Sequence, residues 1–377
     1  MSARLLLAAA VLGAGCANFD EAERAWCERH PAQCDGGAPG GGGGALGGGG
    51  GETGGGGGPT GGGVATGGGG SATGGGGSAT GGGGAMDAGG MGGGTGRDAG
   101  WSQEPEVTIF QLRGVWGSGP DQRWVVGYGG TILRGGGGAW TPESSGGPSD
   151  SYRGLWGRAE GDGGVRLWAV GFSGGAGVIR HRSGGTWNVQ ASPGGGYFNA
   201  VWGTDAGLWV VGENGIICQS NDGMTWSRVD SGVNTHLRAV WGSAANDVWA
   251  AGETTLHWDG TSWTELDAGP GLSFYALWGN GPGALWGAAN GSLYRLDGGW
   301  LLTDQLFHSP LALWGSAEND LWITGNAGEL SHWNGVSHST SLWTLADGGQ
   351  PALHGIWGSA PDDLWVVGTS GTILRGP

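Results

Sequence analysis

Seven residues at one repeat position carry most of the chemistry this chain could do. Three places before a recurring Trp-Gly pair stand Arg113, Arg153, Asn199, Arg238, Tyr275, Leu311 and His354. On an innermost strand they would form a polar, partly cationic ring near one mouth of a central channel. Such a ring can grip an anion or an acidic group of a partner, because guanidinium forks pair with carboxylates. The plainer and preferred reading is that the arginines satisfy carbonyls and stack on neighbouring Trp rings. A second basic column, Arg134, Arg180, His257, Arg295, His332 and Arg375, lies in a third strand, further from the axis, and reads as structural. Asp247, Asp320 and Asp363 sit in turns; Ca²⁺ binding is one reading of them, and capping of tight turns is the commoner cause.

An enzyme needs a constellation, and none assembles. The five Tyr (128, 152, 197, 275 and 294) fall at scattered repeat positions. No two carboxylates stand out as an acid/base couple. The eight His never take metal-ligand spacing, so no metal or other cofactor is expected. The Gly runs are linker-like and not phosphate-cradling loops between strand and helix. Cys218, in the apolar run Ile216-Ile217-Cys218, reads as a buried strand residue with no activating neighbour.

The elements that would position these residues are written in tryptophan. Gly accounts for 96 of the 377 residues and Trp for 24, which points to repeats and low complexity. Trp-Gly recurs with Trp at 116, 156, 202, 241, 278, 314 and 357, a period of about 40 residues. A second Trp column stands at 124, 168, 209, 249, 286, 322 and 365, and a third at 140, 187, 226, 263, 300 and 343. The segments are short, β-branched or aromatic, and bounded by Gly, Pro, Asn or Asp, so they read as strands. Four strands per repeat, seven times, predict an all-β, seven-bladed β-propeller over 101–377, with the Trp columns packing between blades. The last repeat stops at Pro377, after its third strand. Trp101 to Glu104 match the missing outer strand, so the N-terminal edge is expected to close the ring. Pro142 suits an outermost strand, where no ladder hydrogen bond is lost.

Ahead of the repeats the texture differs. Residues 1–15 read as an export signal: Arg4 supplies the positive end, and Leu5 to Leu12 a core too short to span a bilayer. Residues 16–35 form a short Cys-containing segment. Cys27 and Cys34 lie close together, and an oxidising compartment makes a disulfide between them the natural reading. Residues 36–100 hold 39 Gly in 65 positions and are expected to be a disordered tether spanning roughly 40–50 Å. The formal charge of -16 argues against nucleic acid as a partner.

Resemblances add to this. Leu12-Gly13-Ala14-Gly15-Cys16 resembles a bacterial lipobox, which implies lipidation of Cys16, with plain secretion or a periplasmic location as the alternative. Ala17, in place of Asp, implies onward transport to the outer membrane or cell surface. The repeat Trp-Gly-Ser-x-x-x-Asp-x-Trp-x-Val-Gly-x-x-Gly-Thr-Ile-Leu is similar to repeats of myxobacterial Gly-linker lipoproteins. Gly130–Arg134 and Asp259–Trp263 resemble hairpins of the photosystem II stability and assembly factor family. Ser220-Asn221-Asp222-Gly223-Met224-Thr225-Trp226 resembles a sialidase Asp-box, one residue short. The expectation is an exported, lipid-anchored, monomeric propeller that binds a protein or glycan without catalysis. The competing classes are a sialidase-like hydrolase or lyase and an envelope assembly scaffold.

Overall fold

The computed structural model describes residues 100–377 except 146, 162, 267–270 and 307. The signal, the 16–35 segment, the Gly-rich stretch, and with them Cys16, Cys27 and Cys34, lie outside the described residues. Seven four-stranded antiparallel sheets form the blades of a β-propeller. The chain opens with β1 (Ser102–Gln103), then builds the first blade from β2 (Leu112–Gly119), β3 (Gln122–Gly127), β4 (Ile132–Gly136) and β5 (Ala139–Pro142), innermost to outermost. The other blades repeat that order. In the seventh, the chain's own strands Leu353–Ala360, Asp363–Gly368 and Ile373–Arg375 are completed by β1, with Ser102 opposite Arg375 and Gln103 opposite Leu374. The closure is therefore a two-residue ladder flanked by the Glu104 N–H bond to Ile373 O (2.9 Å) and by buried Trp101.

The core is not central. Seven apolar clusters lie between blades, each drawing on two consecutive sheets. The Trp columns build them. At three interfaces second-column rings pack edge-on against third-column rings of the next blade: Trp365 on Trp140 at 5.5 Å, Trp322 on Trp101 at 5.3 Å, Trp209 on Trp263 at 5.3 Å. Edge-to-face geometry suits the aromatic quadrupole. First-column rings explain the Gly of Trp-Gly. A Cβ on Gly117 would stand 2.6 Å from Cη2 of Trp357, and one on Gly279 2.5 Å from Cη2 of Trp241. The ring of one blade needs the bare backbone of the next.

Blade six breaks the third column. Its outer strand, His338–Leu342, puts His338 opposite Trp333, the place Trp263 holds opposite Trp258 in blade four. Trp343 lies five residues further on and packs among Leu330, Leu353 and Trp101. Trp333 instead reaches Trp286 of blade five, at 6.3 Å. The sequence aligned Trp343 with the column because it was the available Trp; the strand register decides otherwise. The second basic column is also corrected in one blade, the second. His181, not Arg180, stands opposite Trp168; in blade three, where no basic residue was expected, Gln219 stands opposite Trp209. Arg180 turns to the other face and pairs with buried Asp150 at 2.9 Å.

Candidate functional site

The seven ring residues share a backbone feature. Each innermost strand slips register by one residue near its start, and the slipped residue is Arg113, Arg153, Asn199, Arg238, Tyr275, Leu311 or His354. A β-bulge re-aims the side chain of its extra residue. All seven line one cavity of about 520 Å³ at the axis, together with Glu213 and His236. Below the polar ring come Gly or Ala at the next position, and Val, Leu or Ile at the one after; the lining ends there. The cavity is thus a cup with a polar rim, a thin wall and an aliphatic floor.

The rim is built across blades. Arg153 Nη1 donates to Asn199 Oδ1 at 2.6 Å and to Glu213 Oε1 at 3.1 Å, while Asn199 Nδ2 donates to Leu237 O at 2.7 Å. Arg238 donates to Ser273 Oγ at 2.7 Å and to Glu253 Oε1 at 3.1 Å, and lies over the Tyr275 ring at 5.2 Å. Arg113 has no carboxylate partner among the described residues. Its guanidinium lies 5.3 Å from the Tyr128 ring centroid. With the Gln111 amide oriented oxygen-first, that oxygen accepts from Arg113 Nε (3.1 Å) and Nη2 (3.2 Å) and from His354 Nε2. Burial holds the Arg113 guanidinium below its ordinary value, and the Arg153 charge acts the same way against the opposing Tyr128. Burial also pushes His354 down to about 3, helped by Arg113, so its ring stays neutral.

An aromatic arc continues the rim over blades one to three. Tyr128 meets Phe172 edge-on at 6.1 Å, Phe172 stacks on Tyr197 at 4.3 Å, and Arg153 lies 4.7 Å from the Phe172 centroid. All three rings are half-buried. Tyr128, Phe172, Glu213 and Glu253 were not singled out from the sequence. They occupy one repeat position, each directly after a second-strand Gly (Gly127, Gly171, Gly212 and Gly252). That Gly is required by close approach: a Cβ on Gly212 would lie 2.2 Å from Tyr197 O, and one on Gly252 1.9 Å from His236 O. The alignment on Trp-Gly therefore held the signal for this second ring.

The ring arginines were expected to stack on Trp rings and satisfy carbonyls; they lie instead over Tyr and Phe rings and bond to side chains, beside a rim open to solvent at Tyr275, which is 39% exposed. The turn aspartates take their bonds from side chains. Asp247 accepts from Trp249 Nε1 at 3.1 Å, stands 2.8 Å from His257 Nε2 and accepts from Ser243 Oγ. Asp320 repeats this with His332 (2.6 Å) and Ser316. His257 and His332 stack on Trp249 and Trp322 at 4.0 and 4.4 Å. Ser, Asp and His meet here with the carboxylate in the middle. The hydroxyl bonds to the Asp and not to the imidazole, so it is not activated as a nucleophile would be. Burial alone would raise the Asp247 carboxyl, but bonds from Ser243, His257 and Trp249 hold it below the ordinary range. The Asp-box-like segment is also a local lock. Asp222 Oδ1 accepts from the Met224 and Thr225 N–H groups, and Gly223 O accepts from Trp168 Nε1 of the preceding blade at 2.8 Å.

No protein-family model matches the chain, and no curated protein does. Solved structures match by fold. YCF48 bound to D1 peptide is similar over 74% of this chain and 97% of that one, at 18% identity and TM-score 0.59. YCF48 from Cyanidioschyzon merolae covers 74% and 99%, at 16% identity and TM-score 0.57. The WD40 β-propeller domain of Doa1 covers 74% and 97%, at 12% identity and TM-score 0.61. At these identities the likeness is one of architecture, and it places the chain among β-propellers that include the photosystem II assembly factor its hairpins resemble.

Proposed function

We propose that this chain is a non-catalytic binding propeller that takes a protein partner on the face bearing the rim, and that it is exported and held at the cell envelope by lipid on Cys16. The observation that carries the binding reading is the ring of seven bulges, which turns seven side chains toward one mouth. Beside it runs the half-buried Tyr128–Phe172–Tyr197 arc. Aromatic and arginine side chains on a rigid scaffold are the usual anchors of protein interfaces. A propeller of similar fold holds a peptide, as the YCF48 complex records. The envelope reading rests on the apolar segment before Cys16 and on the Gly-rich stretch after it.

The test uses the full chain on beads against envelope extract of the producing cells, beside Phe172→Ala/Tyr197→Ala. Wild type should retain a discrete protein that the double variant loses. Retention indifferent to the arc would overturn the reading, and arc-dependent binding on a glycan array alone would replace the protein by a glycan. Cys16→Ser should move the chain from the membrane to the soluble fraction; an unchanged fractionation removes the anchor.

A further inference from the structure

The geometry points to the axial cup as a site for a single carboxylate carried on an apolar stem, with Arg113 as its counter-ion. This rests on the binding reading above and names the chemistry that enters the mouth. Charge is the first argument. Three guanidiniums stand at the rim, and two of them already meet carboxylates, Arg153 with Glu213 and Arg238 with Glu253, both at 3.1 Å. Arg113 is left as a half-buried cation facing neutral partners, Gln111, Tyr128 and His354. His354 is neutral and adds no second charge. A desolvated guanidinium without a counter-ion is costly, and one carboxylate relieves that cost through short, charge-assisted bonds. A dianion such as phosphate would leave one charge uncompensated.

Shape is the second argument. Beneath the rim the wall is thin because Ala200, Ala239, Ala276 and Ala312 stand where larger residues would close the channel. Two residues below the rim, Val115, Val201, Val240, Leu277 and Leu313 form an aliphatic floor. Two strand residues make a depth of about 7 Å. A purely polar ligand gains nothing from that floor, and a purely apolar one cannot satisfy Arg113. An apolar stem tipped by a carboxylate fits both, whether as a free aliphatic acid or as the last residue of a chain.

Two sources share this chemistry, and calorimetric titration of the full chain separates them. The probes are octanoate, a short peptide ending in leucine with a free carboxylate, and the same peptide as its C-terminal amide. At least one acid should bind and the amide should not. Arg113→Gln should weaken the acid by about tenfold or more, the worth of a charge-assisted hydrogen bond. Ala312→Leu, which fills the cup, should abolish binding, with Ala276→Val as the gentler filling if the first variant does not fold. Octanoate alone binding assigns a free acid, and the peptide acid alone assigns a chain end. No acid binding at millimolar concentration, equal binding of acid and amide, or binding indifferent to both Arg113→Gln and a folded filling variant overturns the site. Arc-dependent retention of a protein partner persisting under those results would leave the broader binding reading standing.

Discussion

At the scale of the residue, the molecule depends on contacts that allow no substitution of convenience. The Gly that ends most second strands approaches the carbonyl just ahead of the innermost strand more closely than any Cβ permits. Gly212→Ala would set a Cβ 2.2 Å from Tyr197 O, so it should cost about 2–3 kcal/mol in urea unfolding. Blade five already carries Ala289 at this position, so the same experiment there has no counterpart. His354 supplies a pH signature. Its folded value is depressed to about 3 against an ordinary 6.5. The unfolded chain takes up the proton first as pH falls. Stability is therefore complete above about 6.5 and is lost progressively down to about 3. Urea unfolding at pH 7 and pH 4 should show a smaller stability gap in His354→Gln than in wild type.

At the scale of the element, the outer strands set how much each blade interface can lose. Blade four offers two rings to Trp209, with Trp258 at 5.0 Å and Trp263 at 5.3 Å. Blade six offers Trp286 only Trp333 from the equivalent pair, because His338 holds the other place. Trp333→Ala should thus cost about 3–5 kcal/mol, and Trp258→Ala measurably less, since Trp263 remains. The closing strand is the other exposed dependency. With only two ladder residues, β1 holds mainly through Trp101, which is 5% exposed and stands 5.3 Å from Trp322. Trp101→Ala should cost about 3 kcal/mol or more by denaturant unfolding, a loss out of proportion to so short a strand.

At the scale of the whole molecule, a ring of seven inter-blade clusters has no terminal repeat to fray except the seam in blade seven. Deleting 101–106 should lower the unfolding midpoint in a single transition seen alike by tryptophan fluorescence and circular dichroism, since opening one seam exposes two blade faces. Removing a stretch within 40–95 should leave that midpoint unchanged. Separate transitions for blade seven and the rest would show that the seam is not coupled to the ring.

Blade number and closure were legible in the chain itself. Stacking twisted sheets around an axis demands a large ring and a bare backbone at a fixed period, and Trp-Gly writes that demand locally, seven times. The match of Trp101-Ser102-Gln103-Glu104 to the missing strand was legible for the same reason. The rim was legible too, three places before each Trp-Gly, and all seven residues line the axial cavity; tertiary structure alone decided how it is held there. The one-residue slip that re-aims Arg113 is a pairing against the adjoining strand, and no local pattern encodes such a slip. The same holds for Trp343, displaced by register from the column its residue type suggested. It holds for the pairing of Arg153 and Arg238 with Glu213 and Glu253, which leaves Arg113 as the one rim arginine, among the described residues, without a carboxylate. Side-chain type is local, but compensation of charge is settled between segments many residues apart, and only the closed ring brings them within reach.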